Sequence, residues 1–125
     1  MSDSELIDWE QLSMIFGEDD EEFDEDMAEL FQEFIEDGNA RFDAIKDASF
    51  PEQKEFIAKE SHKLKGSASN FGFTQVANLL AHIEDDIGTI ASDDVSESLE
   101  KAMAYFKQSI DAVVSKYPPL ASISR

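Results

Sequence analysis

The stretch "FDEDMAELFQEFIEDGNARFDAIKD", Phe23 to Asp47, decides the fold class. Its apolar residues Phe23, Met27, Leu30, Phe31, Phe34, Ile35, Phe42 and Ile45 recur at steps of three and four. That spacing lines one face of a long amphipathic helix, and nothing in it alternates as a strand would. The acidic run that leads into it, Glu18 to Asp26, suits a helix start, where carboxylates interact favourably with the helix dipole. Working backwards, Leu6, Ile7, Trp9, Leu12, Ile15 and Phe16 predict a short helix ended by Gly17.

Working forwards, "SFPEQ" around Pro51 interrupts the pattern, and proline is well placed in the first turn of a new helix. That third segment runs from about Glu52 to Asn70, with Gly72 positioned to take the left-handed conformation that closes a helix. Thr74 offers an N-cap hydroxyl to a fourth helix striped by Val76, Leu79, Leu80, Ile83 and Ile87. Gly88 to Asp94 reads as a turn. Val95, Leu99, Met103, Phe106, Ile110 and Val113 stripe a fifth helix that stops at "YPP". The expected fold is therefore all-α: an antiparallel four-helix bundle with the short N-terminal helix capping one end. The 125 residues fit a single domain, with its core at about 5–117 and a frayed, flexible tail at 118–125.

Composition narrows the partners. The chain carries 29 acidic and 10 basic residues, a formal net charge of −19. Nucleic acid and anionic membrane surfaces are bound chiefly through clustered Lys and Arg, so neither is an expected partner, and proteins are. Without cysteine there is no disulfide, thiol nucleophile or thiolate metal site. No segment reads as a signal peptide or a membrane span. The expected location is the cytoplasm, with nuclear entry open to a eukaryotic protein, and the expected state is a monomer.

Against this acidic background, "SHKLKGSASNFG", Ser61 to Gly72, gathers Lys63 and Lys65 around His62, with Lys59 just before it. At about 100° per residue, Ile57, Leu64 and Ala68 lie roughly 200–240° from His62 and face the core. His62 points outward, with Glu55, Lys59, Lys65, Gly66 and Ser69 within about 60° of it. Glycine inside a helix costs about 1 kcal/mol relative to alanine, so Gly66 calls for a reason. One turn after His62, it removes the side chain that would cover the imidazole. Lys65 shares that face and can bring its ammonium to an anion carried by the ring. A reachable imidazole beside a cation suits a phosphoryl carrier, with a ring nitrogen as nucleophile and the lysine offsetting phosphoryl charge. The spacing alone equally suits a solvated helical face whose lysines balance nearby glutamates.

The segment "SHKLKGSASNFGFTQVANLLAHIED" resembles the active-site helix and following helix of histidine-containing phosphotransfer (HPt) domains. The resemblance rests on His62, Leu64, Lys65, Gly66, Ser67 and Gly72, and "IDWEQLSMIFGEDDEEF" resembles the opening of stand-alone members. It implies a four-helix bundle that relays phosphoryl groups between aspartates of receiver domains through phosphohistidine. His62 would be the phosphoacceptor, Lys65 would neutralise the phosphoryl charge, and Glu84 matches the polar residue that orients the imidazole from the next helix. A carboxylate there favours one ring tautomer and raises the basicity of the attacking nitrogen. Lys59, Lys63, Gly66 and Ser69 make up the candidate docking and access face. Ala68 stands where many members have serine, and Glu84 where some have glutamine.

The implied partners are a hybrid sensor histidine kinase and response-regulator receiver domains. The implied role is that of a carrier, not an enzyme: the chain contains no ATP-binding domain. No cofactor is expected, and magnesium is expected on the receiver alone. Two alternatives remain at this point, an acidic helical binding module without phosphotransfer and a substrate domain for a dedicated histidine kinase acting in trans. Other chemistries fail on spacing. A carboxylate-bridged metal bundle needs Glu three residues before His, but positions 59 and 79 are Lys and Leu. A calcium loop starting at Asp20 puts Glu25 where glycine belongs and Phe31 where glutamate belongs. Ser61 and His62 diverge by about 100° and form no nucleophile and base pair. His82 reads as a surface histidine.

Overall fold

A computed structural model describes residues 6–17 and 24–122. Among them are five α-helices: α1 (Trp9–Phe16), α2 (Glu25–Asp47), α3 (Lys54–Asn70), α4 (Thr74–Asp85) and α5 (Ser92–Lys116), followed by a short 3-10 helix (Pro118–Ser122). No strand occurs among the described residues. Phe23, most of the acidic run and the last three residues of the expected tail lie outside them.

Side-chain caps start the first two helices. Asp8 caps α1 by accepting the Gln11 N–H, and Asp24 caps α2 by accepting the N–H groups of Asp26 and Met27. Glu25 and Asp26 then sit in the first turn of α2, where the dipole favours them. The α2 stripe buries Phe31, Phe34, Ile35, Phe42 and Ile45 as its period requires, whereas Leu30 is 46% exposed. Leu30 lies about 100° round from Phe31, beyond the edge of the buried arc.

Short connections make consecutive helices run antiparallel. α3 packs on α2 and α4, and α5 packs on α4 and α2, which closes the ring of four. Buried rings fill one end: Phe34 stacks on Phe71 at 4.8 Å and meets Phe73 and Phe106 edge-on at 5.2 and 5.4 Å. Gly38 lets α5 come close, because a Cβ there would sit 2.5 Å from the Phe106 ring.

The N-terminal helix covers that same end. Phe16 packs on Phe31 and on Tyr117, and the Tyr117 hydroxyl donates to the Gly17 carbonyl at 3.3 Å. Gln11 Nε2 donates to the Ser69 and Asn70 carbonyls at 2.8 and 2.6 Å, which caps the C-terminus of α3 from outside. The Asp8 N–H donates to the Gly72 carbonyl at 2.8 Å. Gly72 has a φ of 71°, a left-handed conformation in which a side chain would also strike the Asp8 carbonyl.

Three local expectations are corrected. Pro51 lies in a turn ahead of α3, its carbonyl accepting the Lys54 N–H, and not within the helix's first turn. Thr74 is the first residue of α4 and donates its hydroxyl back to the Gly72 carbonyl at 3.4 Å; Phe73 holds the N-cap position with no side-chain bond. The chain beyond Tyr117 is not frayed at its start. Pro118–Ser122 turns as a 3-10 helix and Leu120 is fully buried, because the apolar side chain finds core to cover.

Candidate phosphoacceptor site

α3 buries Ile57, Ser61, Leu64 and Ala68, and this buried arc turns His62 to solvent. Its side chain is 65% exposed. α4 returns antiparallel from the Gly72 turn and brings Glu84, in its last turn, alongside. Glu84 Oε2 lies 2.6 Å from His62 Nδ1, and Oε1 lies 2.6 Å from Lys65 Nζ. One carboxylate thus holds both partners, one on each oxygen. A Cβ on Gly66 would meet nothing within 4 Å, so the space one turn beyond the imidazole is open.

The electrostatics follow from these contacts. The hydrogen bond from Lys65 is the main influence that pulls the Glu84 carboxyl below its ordinary range, with the His62 contact adding to it against partial desolvation. The same hydrogen bond holds the Lys65 ammonium above the ordinary lysine value. Glu84 is therefore ionised at neutral pH. Its carboxylate selects the tautomer of His62 with the proton on Nδ1, which leaves the lone pair on Nε2.

The remaining candidates surround this trio. Lys59, Lys63 and Ser69 are exposed on α3. Lys63 pairs loosely with Glu60 at 3.9 Å, and Glu60 also accepts from Arg41 of α2 at 3.1 Å. Arg41 is bound in turn to Asp37, whose hydrogen bond raises the guanidinium pKa. Ser69 contributes its carbonyl to Gln11. Neither Gln11 nor the Arg41–Glu60 pair was visible in the sequence pattern, since both depend on which helices become neighbours. His82 is half-exposed and held between Asp86 and Asp94, away from the trio.

Among the described residues, no group of three His, Asp or Glu side chains is arranged to hold a metal ion. None of their helices is long and apolar enough to cross a membrane. A groove lined by Ile15 of α1, Met27, Leu30 and Phe34 of α2, and Phe71, with Glu33 and Asp37 at its edge, runs beside Ser67 and Asn70 of α3.

The family model described as "Hpt domain" matches residues 29–116. The phosphorelay intermediate protein YPD1 of Candida albicans is 31% identical over 87 residues, 68% of this chain and 46% of that protein, so the chain spans about half the length of this relative. No solved structure gives a significant match. A helical bundle with this family match across most of its length, carrying an exposed histidine on its third helix, belongs to the Hpt domain family.

Proposed function

We propose that the chain is a phosphorelay intermediate that accepts a phosphoryl group on His62 Nε2 from a receiver-domain aspartyl phosphate of a hybrid sensor kinase. It passes the group on to the aspartate of a response-regulator receiver. The observation that carries this reading is the exposed His62 ring, held at Nδ1 by Glu84 with Nε2 left open.

The chemistry needs no base on this chain. The Nε2 lone pair forms a bond to phosphorus as the acyl phosphate P–O bond breaks, and the electron pair of that bond leaves with the donor's carboxylate. The Nδ1 proton stays in place, so the phosphorylated ring is formally cationic beside the Glu84 carboxylate, which offsets that charge. Lys65, within reach through its shared carboxylate, supplies the cation for the phosphoryl oxygens. Transfer onwards reverses these steps onto a second aspartate. Any magnesium belongs to the receiver, and the kinase activity to another protein.

The open space at Gly66 admits a partner's active-site loop, and Lys59, Lys63 and Ser69 border the approach. The groove of Ile15, Met27, Leu30 and Phe71 beside α3 offers an apolar patch to the core of a docking interface. We take the working state to be a cytoplasmic monomer.

The test is incubation with a receiver domain phosphorylated on its aspartate. Label should move to the chain, be lost in acid and retained in alkali, and be absent from His62→Gln. Label that persists in His62→Gln would place the acceptor on another side chain, and none on the wild-type chain with any receiver of the source genome would leave a binding module or a substrate of a dedicated kinase.

A further inference from the structure

The last turn of α4 is gripped from two sides. Glu84 and His82 are two residues apart, hence about 200° apart around the helix, so one side chain reaches α3 and the other reaches α5. His82 Nδ1 lies 2.8 Å from Asp86 Oδ2, just past the helix end, and His82 Nε2 lies 3.3 Å from Asp94 Oδ2 in the first turn of α5; both oxygens accept, so the two bonds form together when each ring nitrogen carries a proton. The second oxygen of Asp94 accepts from the hydroxyl of Ser98 at 3.4 Å, and Ser98 is buried. The clasp is therefore anchored in the bundle and not only on its surface.

α4 has need of such an anchor. It spans 12 residues, its N-cap makes no side-chain hydrogen bond, and at its C-cap Asp86 donates its N–H to the His82 carbonyl and accepts the N–H groups of Thr89 and Ile90, all of them backbone bonds. Helix ends loosen within the last turn. Yet this last turn carries the carboxylate that must stay within 2.6 Å of both His62 and Lys65. The pull of those two groups towards α3 is opposed by the pull of His82 towards α5.

We infer that His82 is a positioning residue for the phosphotransfer site: its clasp on Asp86 and Asp94 fixes the last turn of α4 and so keeps Glu84 on the Nδ1 of His62. The inference rests on the functional reading above for its consequence, though not for its geometry.

The test reads the His62 ring directly. In nitrogen-15-labelled, unphosphorylated protein, long-range proton–nitrogen correlation of the imidazoles reports the tautomer of His62. His82→Ala should move its signals from the Nδ1–H form towards the mixture of a free imidazole. Asp94→Asn should move them in the same direction while leaving α4 unaltered in sequence. His82→Arg, with donors enough for both carboxylates, should restore them. In transfer assays His82→Ala should slow the step about threefold to tenfold, below the ~10²-fold cost of a full 1 Å misplacement, with the half-saturating receiver concentration unchanged. Unchanged His62 signals in both His82→Ala and Asp94→Asn would overturn the inference. So would a change in the first that the second does not share, because the clasp would then not be the link. If the wild-type chain accepts no phosphoryl group, the functional reading falls, and the ring signals still decide this one.

Discussion

At the scale of single residues, the site depends on one carboxylate shared by the Lys65 ammonium and the Nδ1 of His62. Glu84 is lowered in the folded chain, so its contribution to stability is complete above the ordinary carboxylate value and is lost as pH falls through the lower folded value. Lys65 is raised, so its contribution is complete below the ordinary lysine value and disappears as pH rises through the higher folded one. Both windows lie far from neutrality, and the trio is intact at physiological pH. Glu84→Gln removes the first effect while keeping an oxygen that can accept from Nδ1. Urea melts taken across the acid range should show a shallower loss of stability for this variant than for the wild type. Its transfer rate at neutral pH should fall about threefold to tenfold, roughly 1 kcal/mol of barrier, because an amide offsets a cationic ring less well than a carboxylate. A transfer rate equal to wild type would remove Glu84 from the mechanism.

At the scale of elements, the helices are held by specific close contacts as much as by their stripes. Gly38 sits mid-helix in α2, where alanine would raise helix propensity by about 1 kcal/mol. The Phe106 ring occupies the space that the new methyl needs. Gly38→Ala should therefore destabilise the protein by about 1–3 kcal/mol in spite of the propensity gain, and denaturant midpoints would show it. Leu120 makes the matching case beyond α5. Its side chain is fully buried, so Leu120→Ala should cost about 2–4 kcal/mol. A loss below about 0.5 kcal/mol would mean that the segment after Tyr117 is frayed after all.

At the scale of the whole molecule, a net charge of −19 sets a repulsive background that the compact state must overcome. Raising salt from about 20 to 200 mM shortens the screening length several-fold, and the melting temperature should rise by roughly 2–5 °C. A fall over that range would mean that local ion pairs, such as Arg41 with Asp37 and Glu60, outweigh the repulsion.

Helix content, the order of the four long helices and the outward direction of His62 were all legible in the sequence, because each follows from a period of about 3.6 residues within one segment. So was the left-handed turn at Gly72, which only a residue without Cβ adopts at little cost. The Glu84 partnership was legible only through the family resemblance: its position at the stripe edge allowed contact with a neighbour without naming His62 Nδ1 and Lys65 as the pair it joins.

What the chain order alone determined, then, was which face of each helix is apolar and which side chains stand clear of it. Tertiary structure decided which clear side chains meet. It brought Gln11 to the end of α3, Arg41 to Glu60, His82 to Asp94, Leu120 into the core and Phe106 over Gly38. The physical reason is one of range: periodicity is a property of residues a turn apart, whereas these contacts join positions up to dozens of residues distant. Their distances are set by how buried side chains interdigitate across the bundle.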